Sequence, residues 1–298
     1  MNQSEMMAQM ERGDGFIAAL DQSGGSTPKA LRAYGLADED WNGDDEMFAR
    51  IHEMRCRIIR SPAFTGDKVV GAILFEKTMD GTVDGGPVPQ ALIAKGVVPF
   101  LKIDKGLEDE KDGVQLMKPM PGLDELLARA KGLGVFGTKE RSVINLANRA
   151  GIAAIVAQQF EVGQQVLAAG LMPMLEPEIN IKSPERAEAD QIMLEDILKA
   201  LDAMPGSEKV MLKLSIPAVS GTFDPLVDHP RVLRVVALSG GYARPGACAE
   251  LAKNRGMIAS FSRALLEDLR HQMTDAEFNA SLGAAIDEIY TASTTKTV

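Results

Sequence analysis

The chain has 298 residues, 45% hydrophobic and 25% charged, the make-up of a globular protein long enough for one large α/β domain. Its net charge of −10 argues against nucleic acid or an anionic membrane as the main partner. It leaves room for a small anionic substrate gripped by a local cluster of Lys and Arg, while the distant Cys56 and Cys248 exclude a disulfide framework and a CxxC metal pair.

The N-terminal stretch MNQSEMMAQMERGDG is polar and lacks the apolar core of a signal peptide. No later segment is long enough to span a bilayer, so a cytoplasmic location is expected. Short β-like runs then recur: FIAALD (16–21), AILF (72–75), VPFLKID (98–104), VFGTK (135–139), LMPMLEPE (171–178), VMLKLS (210–215), RVVALSGG (234–241) and MIASFSR (257–263). Helical apolar periods fall between them. The pattern predicts helices over 45–59, over 152–170 with Gly170 as a C-cap, and over 184–201 with Pro184 in the first turn.

Eight strands alternating with helices predict a parallel sheet, and eight is the number that closes a (β/α)8 TIM barrel. No low-complexity tract or linker divides the chain, so 1–298 reads as a single barrel domain with N-terminal and C-terminal helical extensions.

Charged and polar residues gather at the C-terminal ends of these runs: Asp21, Lys102, Asp104, Lys139, Glu176, Glu178, Lys213, Ser239, Ser262 and Arg263. In an eight-fold barrel those ends converge on one mouth, where catalytic groups are placed. Lys213 is the most unusual of them, because it interrupts the apolar run VMLKLS and an ammonium is costly to bury. A lysine becomes a nucleophile when neutral, a state that desolvation and neighbouring cations favour. Its amine can then attack a ketone to give an iminium, an electron sink for breaking the adjacent carbon–carbon bond. A carboxylic acid must move the protons, and Glu176 in MLEPEI is well placed.

On their own these positions have ordinary readings. A strand lysine often packs its stem and snorkels its head to water. Glu176 and Glu178 read equally as strand-end surface charges, and Lys102, Asp104 and Lys105 as an exposed salt-bridged turn. Their joint arrival at one rim favours the catalytic reading.

Phosphate handling has a separate signal. LSGGY (238–242) and SFSRAL (260–265) follow the seventh and eighth strands, the usual phosphate loops of this fold. Gly240 and Gly241 let backbone N–H groups approach an anion, Ser239 and Ser262 can donate, and Arg263 can grip it bidentately. A second basic group of Lys29, Lys102 and Arg141, with Ser26 of DQSGGS, suits another phosphate. His52, His229 and His271 are scattered without metal-ligand spacing, and neither a GxGxxG after a strand nor a Walker loop is present. No metal and no nucleotide cofactor are therefore expected.

Together ALDQSGGS, ILFEKTMD, VVPFLKIDKG, FGTKERS, MLEPEIN, MLKLSIP, LSGGY and SFSRAL resemble, in matching order, the class I (Schiff-base) fructose-bisphosphate aldolases, most of all their short bacterial branch. The resemblance runs from about Gly15 to Arg263. It implies that Lys213 forms the Schiff base and that Glu176 is the main proton acceptor and donor. It makes Asp21 the carboxylate beside the imine and Lys139 the lysine that aids the early steps. Lys102 would pair with these carboxylates and help hold substrate. Ser239, Gly240 and Arg263 would take the C1 phosphate, and Ser26 and Arg141 the C6 side. The implied reaction is metal-independent cleavage of fructose 1,6-bisphosphate, a phosphorylated sugar, by a protein that is a candidate homo-oligomer.

Three features depart from the animal enzymes of that family. Gln22 follows Asp21 where they carry a glutamate, and Ser262 directly precedes Arg263 where they have two intervening residues. Tyr290 is not C-terminal, so a mobile tyrosine tail is not expected. Two other readings stay open at this level. One is a Schiff-base barrel of different specificity, such as a transaldolase or an aldolase for a seven-carbon bisphosphate. The other is a catalytically silent barrel that binds sugar phosphates or a protein.

Overall fold

The computed structural model describes residues 1–297, and Val298 lies outside them. All eight apolar runs form strands: β1 (Phe16–Leu20), β2 (Val69–Leu74), β3 (Val98–Lys102), β4 (Gly137–Ile144), β5 (Met172–Ile179), β6 (Val210–Ser215), β7 (Val232–Leu238) and β8 (Ile258–Phe261). Each pairs in parallel with its neighbours in the chain, including β3 with β4 (Phe100↔Gly137), and β8 pairs back with β1 (Ile17↔Ser260). The sheet is thus closed and has no open edge, a (β/α)8 TIM barrel as expected. Short additions decorate it: Val114–Gln115 runs antiparallel to the end of β4, and Thr82–Val83 pairs with Gly86–Pro87.

Alternation along each strand sorts side chains into two layers. One set packs outward against the helices, such as Val210, Leu212 and Leu214 of β6. The other fills the barrel, with Ile17, Ala19, Ile73, Phe100, Met174, Met211 and Val236 in its lower half. Met6 and Met10 of the N-terminal helix Gln3–Arg12 close the floor of this inner layer. That helix starts with a reciprocal Asn2–Glu5 capping box, and Gln9 Nε2 donates to the carbonyls of Val70 and Gly96 at 2.8 and 2.7 Å.

The expected helices appear as Gly43–Arg60, Arg149–Ala168 and Arg186–Ala203. Gly170 takes φ +77° just past the second, the left-handed turn that glycine supplies without strain. Pro184 does not fill the first turn of the third. A turn in which Ser183 N–H donates to the Asn180 carbonyl at 2.9 Å carries the chain on, and Glu185 becomes the cap. β4 begins later and runs further than VFGTK, because its continuation ERSVI stays paired with β5 (Arg141↔Glu176, Val143↔Glu178). Tyr290 lies within the helix Asp275–Thr294.

Candidate functional site

The same alternation that sends apolar residues into the lower barrel sends polar ones into its mouth. In register with Ile17 and Ala19 comes Asp21; with Phe100, Lys102 and Asp104; with Met174, Glu176 and Glu178; with Met211, Lys213. Lys139 and Arg141 follow Gly137 on β4, and Ser260 on β8 and Ser262 just past its end follow Ile258. All of these line one cavity of about 660 Å³, which also takes in Ser26, Lys29, Ser239, Gly240, Gly241 and Arg263. Every residue singled out as a candidate from the sequence therefore faces a common space.

The centre of the cavity is a chain of alternating charge. Lys213 Nζ lies 3.0 Å from Glu176 Oε1, and Lys139 Nζ lies 3.0 Å from Glu176 Oε2 and 2.6 Å from Asp21 Oδ2. Lys213, Glu176 and Lys139 are 4%, 3% and 2% exposed, so these contacts act with little water to weaken them. Burial works against the charged forms of Asp21 and Lys139, but their mutual attraction, reinforced by Lys213 on Asp21 and by Glu176 on Lys139, outweighs it. Asp21 is held well below the usual carboxylate range and Lys139 well above the usual lysine range. Lys139 is accordingly a fixed cation at neutral pH, and Glu176 stands within proton-transfer reach of the Lys213 amine.

Lys102 departs from the expected pairing with these carboxylates. Its Nζ folds back on Asp104, 2.5 Å from Oδ1 and 2.7 Å from the backbone oxygen. The two-residue spacing puts a closer acceptor on the same face of the chain, and burial pulls the Lys102 ammonium below its ordinary value despite that partner. Lys105 pairs with Glu76 instead, at 2.7 Å, so no exposed turn joins the three. Arg141 is partnered by Glu178 at 2.5 Å, which overcomes burial and raises its pKa. The Arg141 backbone N–H donates to Asp104 at 3.2 Å. Ser26 is exposed and bonded within its own turn to Ser23.

Opposite lies a donor-rich wall. Gly240 and Gly241 adopt φ +58° and +109° after β7, a conformation that only glycine takes cheaply in succession. A Cβ on Gly241 would come within 3.8 Å of Arg263 Nη1, so the guanidinium rests close against this bare backbone.

Asp104 and Glu178, expected among the strand-end charges, continue the inward period of Lys102 and Glu176 and line the cavity. Two further residues of the surround were not singled out from the sequence. Arg55 is fully buried on Gly43–Arg60, four residues from both Ile51 and Ile59. Gln159 is 1% exposed on Arg149–Ala168; it donates to the Glu140 carbonyl and Ser142 Oγ at 3.1 and 2.8 Å and accepts from the Glu176 N–H at 3.2 Å. The amide clamps β4 to β5 beside the central carboxylate. For both, the available signal was a lone polar residue within an apolar helical stripe. Among the described residues, no group of three or more His, Cys, Asp or Glu could hold a metal ion, and no helix is long and apolar enough to cross a membrane.

Fold and site together define a barrel with a buried amine at the base of a polar mouth. The family model for fructose-bisphosphate aldolase class-I matches residues 3–216. A fructose-bisphosphate aldolase class 1 of Synechocystis sp. is 54% identical over 292 residues, 98% of this chain and 97% of that protein. One of Porphyromonas gingivalis is 54% identical over 290 residues, 97% of this chain and 98% of that protein. The chain belongs to the class I fructose-bisphosphate aldolase family. A solved fructose-bisphosphate aldolase from Plasmodium falciparum, in complex with TRAP and a small-molecule inhibitor, shares the fold with a TM-score of 0.83 at 20% identity. That match covers 99% of this chain and 96% of the other.

Proposed function

We propose that this protein reversibly cleaves fructose 1,6-bisphosphate to dihydroxyacetone phosphate and glyceraldehyde 3-phosphate through an imine on Lys213. The carrying observation is the buried sequence Lys213–Glu176–Lys139–Asp21, in which an amine, a proton carrier, a fixed cation and a second carboxylate lie within 3.0 Å of one another in turn. Lys213 adds to the C2 ketone, and Glu176 shuttles the protons that convert the carbinolamine to iminium and water. Lys139 stabilises the oxygen that leaves as water, and Asp21 offsets the positive charge of the iminium. A base, Glu176 in this reading, removes the C4 hydroxyl proton. The C3–C4 bond breaks, its electron pair moves to the iminium nitrogen, and glyceraldehyde 3-phosphate departs. Protonation of the enamine at C3 and hydrolysis release dihydroxyacetone phosphate and regenerate Lys213.

Ser239, Gly240, Gly241, Ser262 and Arg263 hold the C1 phosphate, which the glycine-rich backbone and the Arg263 fork suit. Arg141, Lys102 and Ser26 serve the C6 end. The imine is the electron sink, so the chemistry runs without a metal, in the cytoplasmic setting of glycolysis. Borohydride trapping with fructose 1,6-bisphosphate in EDTA, followed by peptide mapping, tests this. A reduced adduct on the peptide containing Lys213 is expected. A folded protein that neither cleaves the sugar nor forms an adduct refutes the reading, and an adduct on Lys102 or Lys139 overturns the roles.

A further inference from the structure

Beneath the phosphate wall lies a hydrogen-bonded relay with a fixed direction. Arg55 is fully buried and forms no ion pair among the described residues. Its Nη1 donates to Thr78 Oγ1 at 2.6 Å, and its Nη2 donates to the backbone oxygen of Gln22 at 2.6 Å and to Gln22 Oε1 at 3.1 Å. Gln22 Nε2 in turn donates to Ser262 Oγ at 2.7 Å. Ser262 lines the cavity beside Ser239, Gly241 and Arg263.

A guanidinium can only donate. Gln22 must therefore turn its carbonyl to Arg55, which leaves only its NH2 group to meet Ser262. That group cannot accept, so Ser262 Oγ receives the bond and its own hydroxyl proton stays available. Burial lowers the Arg55 pKa to about 10, with Asp21 opposing the fall, and it remains a full donor at neutral pH.

We propose that Arg55 and Gln22 are positioning residues that set the polarity of Ser262, so that its hydroxyl is committed to donating into the phosphate site. The proposal rests on the assignment of that wall to the C1 phosphate. A carboxylate at position 22 would accept from Arg55 and from Ser262 alike, drawing the hydroxyl proton away from the substrate. An amide at this position is thus a device for anion binding, and the Gln22 departure from the animal pattern acquires a physical meaning.

The test is a double-mutant cycle on Ser262→Ala and Gln22→Glu, read as KM for fructose 1,6-bisphosphate and as inhibition by inorganic phosphate. Ser262→Ala in the native background should weaken both by about tenfold, the loss of one hydrogen bond to a charged group. In the Gln22→Glu background the same change should cost less than about twofold, because the hydroxyl no longer serves the phosphate. Gln22→Met offers the hydroxyl no acceptor and should retain the full Ser262 effect. Arg55→Met frees the amide to turn its carbonyl to Ser262 and should reproduce Gln22→Glu, which keeps the cycle readable if either variant folds poorly. Independent, multiplicative effects of Ser262→Ala and Gln22→Glu would overturn the relay, as would a native-background Ser262→Ala without effect. Borohydride adducts on Lys213, measured on every variant, report separately on the imine chemistry.

Discussion

Glu140 offers a sharp test of how the barrel wall is built. It sits on β4 between the inward-facing Lys139 and Arg141 and so points the other way, under the helix Arg149–Ala168. It is fully buried; Oε2 lies 3.1 Å from Thr138 Oγ1, and Oε1 has no hydrogen-bond partner. Burial pushes this carboxyl up from 4.5 to about 8. The folded protein therefore keeps a proton that the unfolded chain releases between those values, and stability falls as pH rises through that window. At 1.36 kcal/mol per unit, the shift to about 8 amounts to on the order of 5 kcal/mol, absent below about pH 4.5 and complete above about pH 8. Glu140→Gln keeps the shape and removes the titration. Thermal melts of both proteins from about pH 5 to pH 9 isolate this group, because every other carboxylate cancels in the difference. The variant should gain on the native protein steadily with pH, reaching about 10 °C in Tm at the alkaline end. A difference that does not change with pH would refute the buried neutral acid.

Other expectations follow from the core and the charge chain. Lys139→Met leaves Asp21 and Glu176 without their shared cation and should cost about 3–5 kcal/mol, seen as a lowered Tm near neutral pH that recovers partly on mild acidification. Met10→Ala removes a floor residue that is 1% exposed and should destabilise by about 2–5 kcal/mol. It lies at the far end of the barrel from Lys213, so kcat measured on folded enzyme should stay unchanged.

Much of this architecture is written in alternation. The eight apolar runs are local features, and each was visible because a barrel strand is covered on both faces and reads as nearly continuous Val, Ile, Leu and Ala. Lys213 stood out for the same reason, as a charge where the period demands an inward residue. The glycines of LSGGY were legible as a turn, and the structure gives both the positive φ that glycine takes without strain.

What the chain order could not disclose was which charges would find one another. Lys102 was free, on sequence grounds, to reach Asp21 or Glu176, and the turn geometry gave it to Asp104. That Glu176 divides its two oxygens between Lys213 and Lys139 depends on the register of β4, β5 and β6, set by barrel closure across distant residues. Arg55 and Gln159 are helix residues whose partners lie on other elements, with Gln22, just past β1, 33 positions from Arg55 and Glu176, on β5, 17 from Gln159. Family, fold class and the place of Lys213 at the barrel mouth were thus legible in local pattern, because strand period and helix stripe are properties of neighbouring residues. The charge pairing and the bond from Gln22 to Ser262 were decided by tertiary packing, because a hydrogen bond's direction is settled only when both partners are in place.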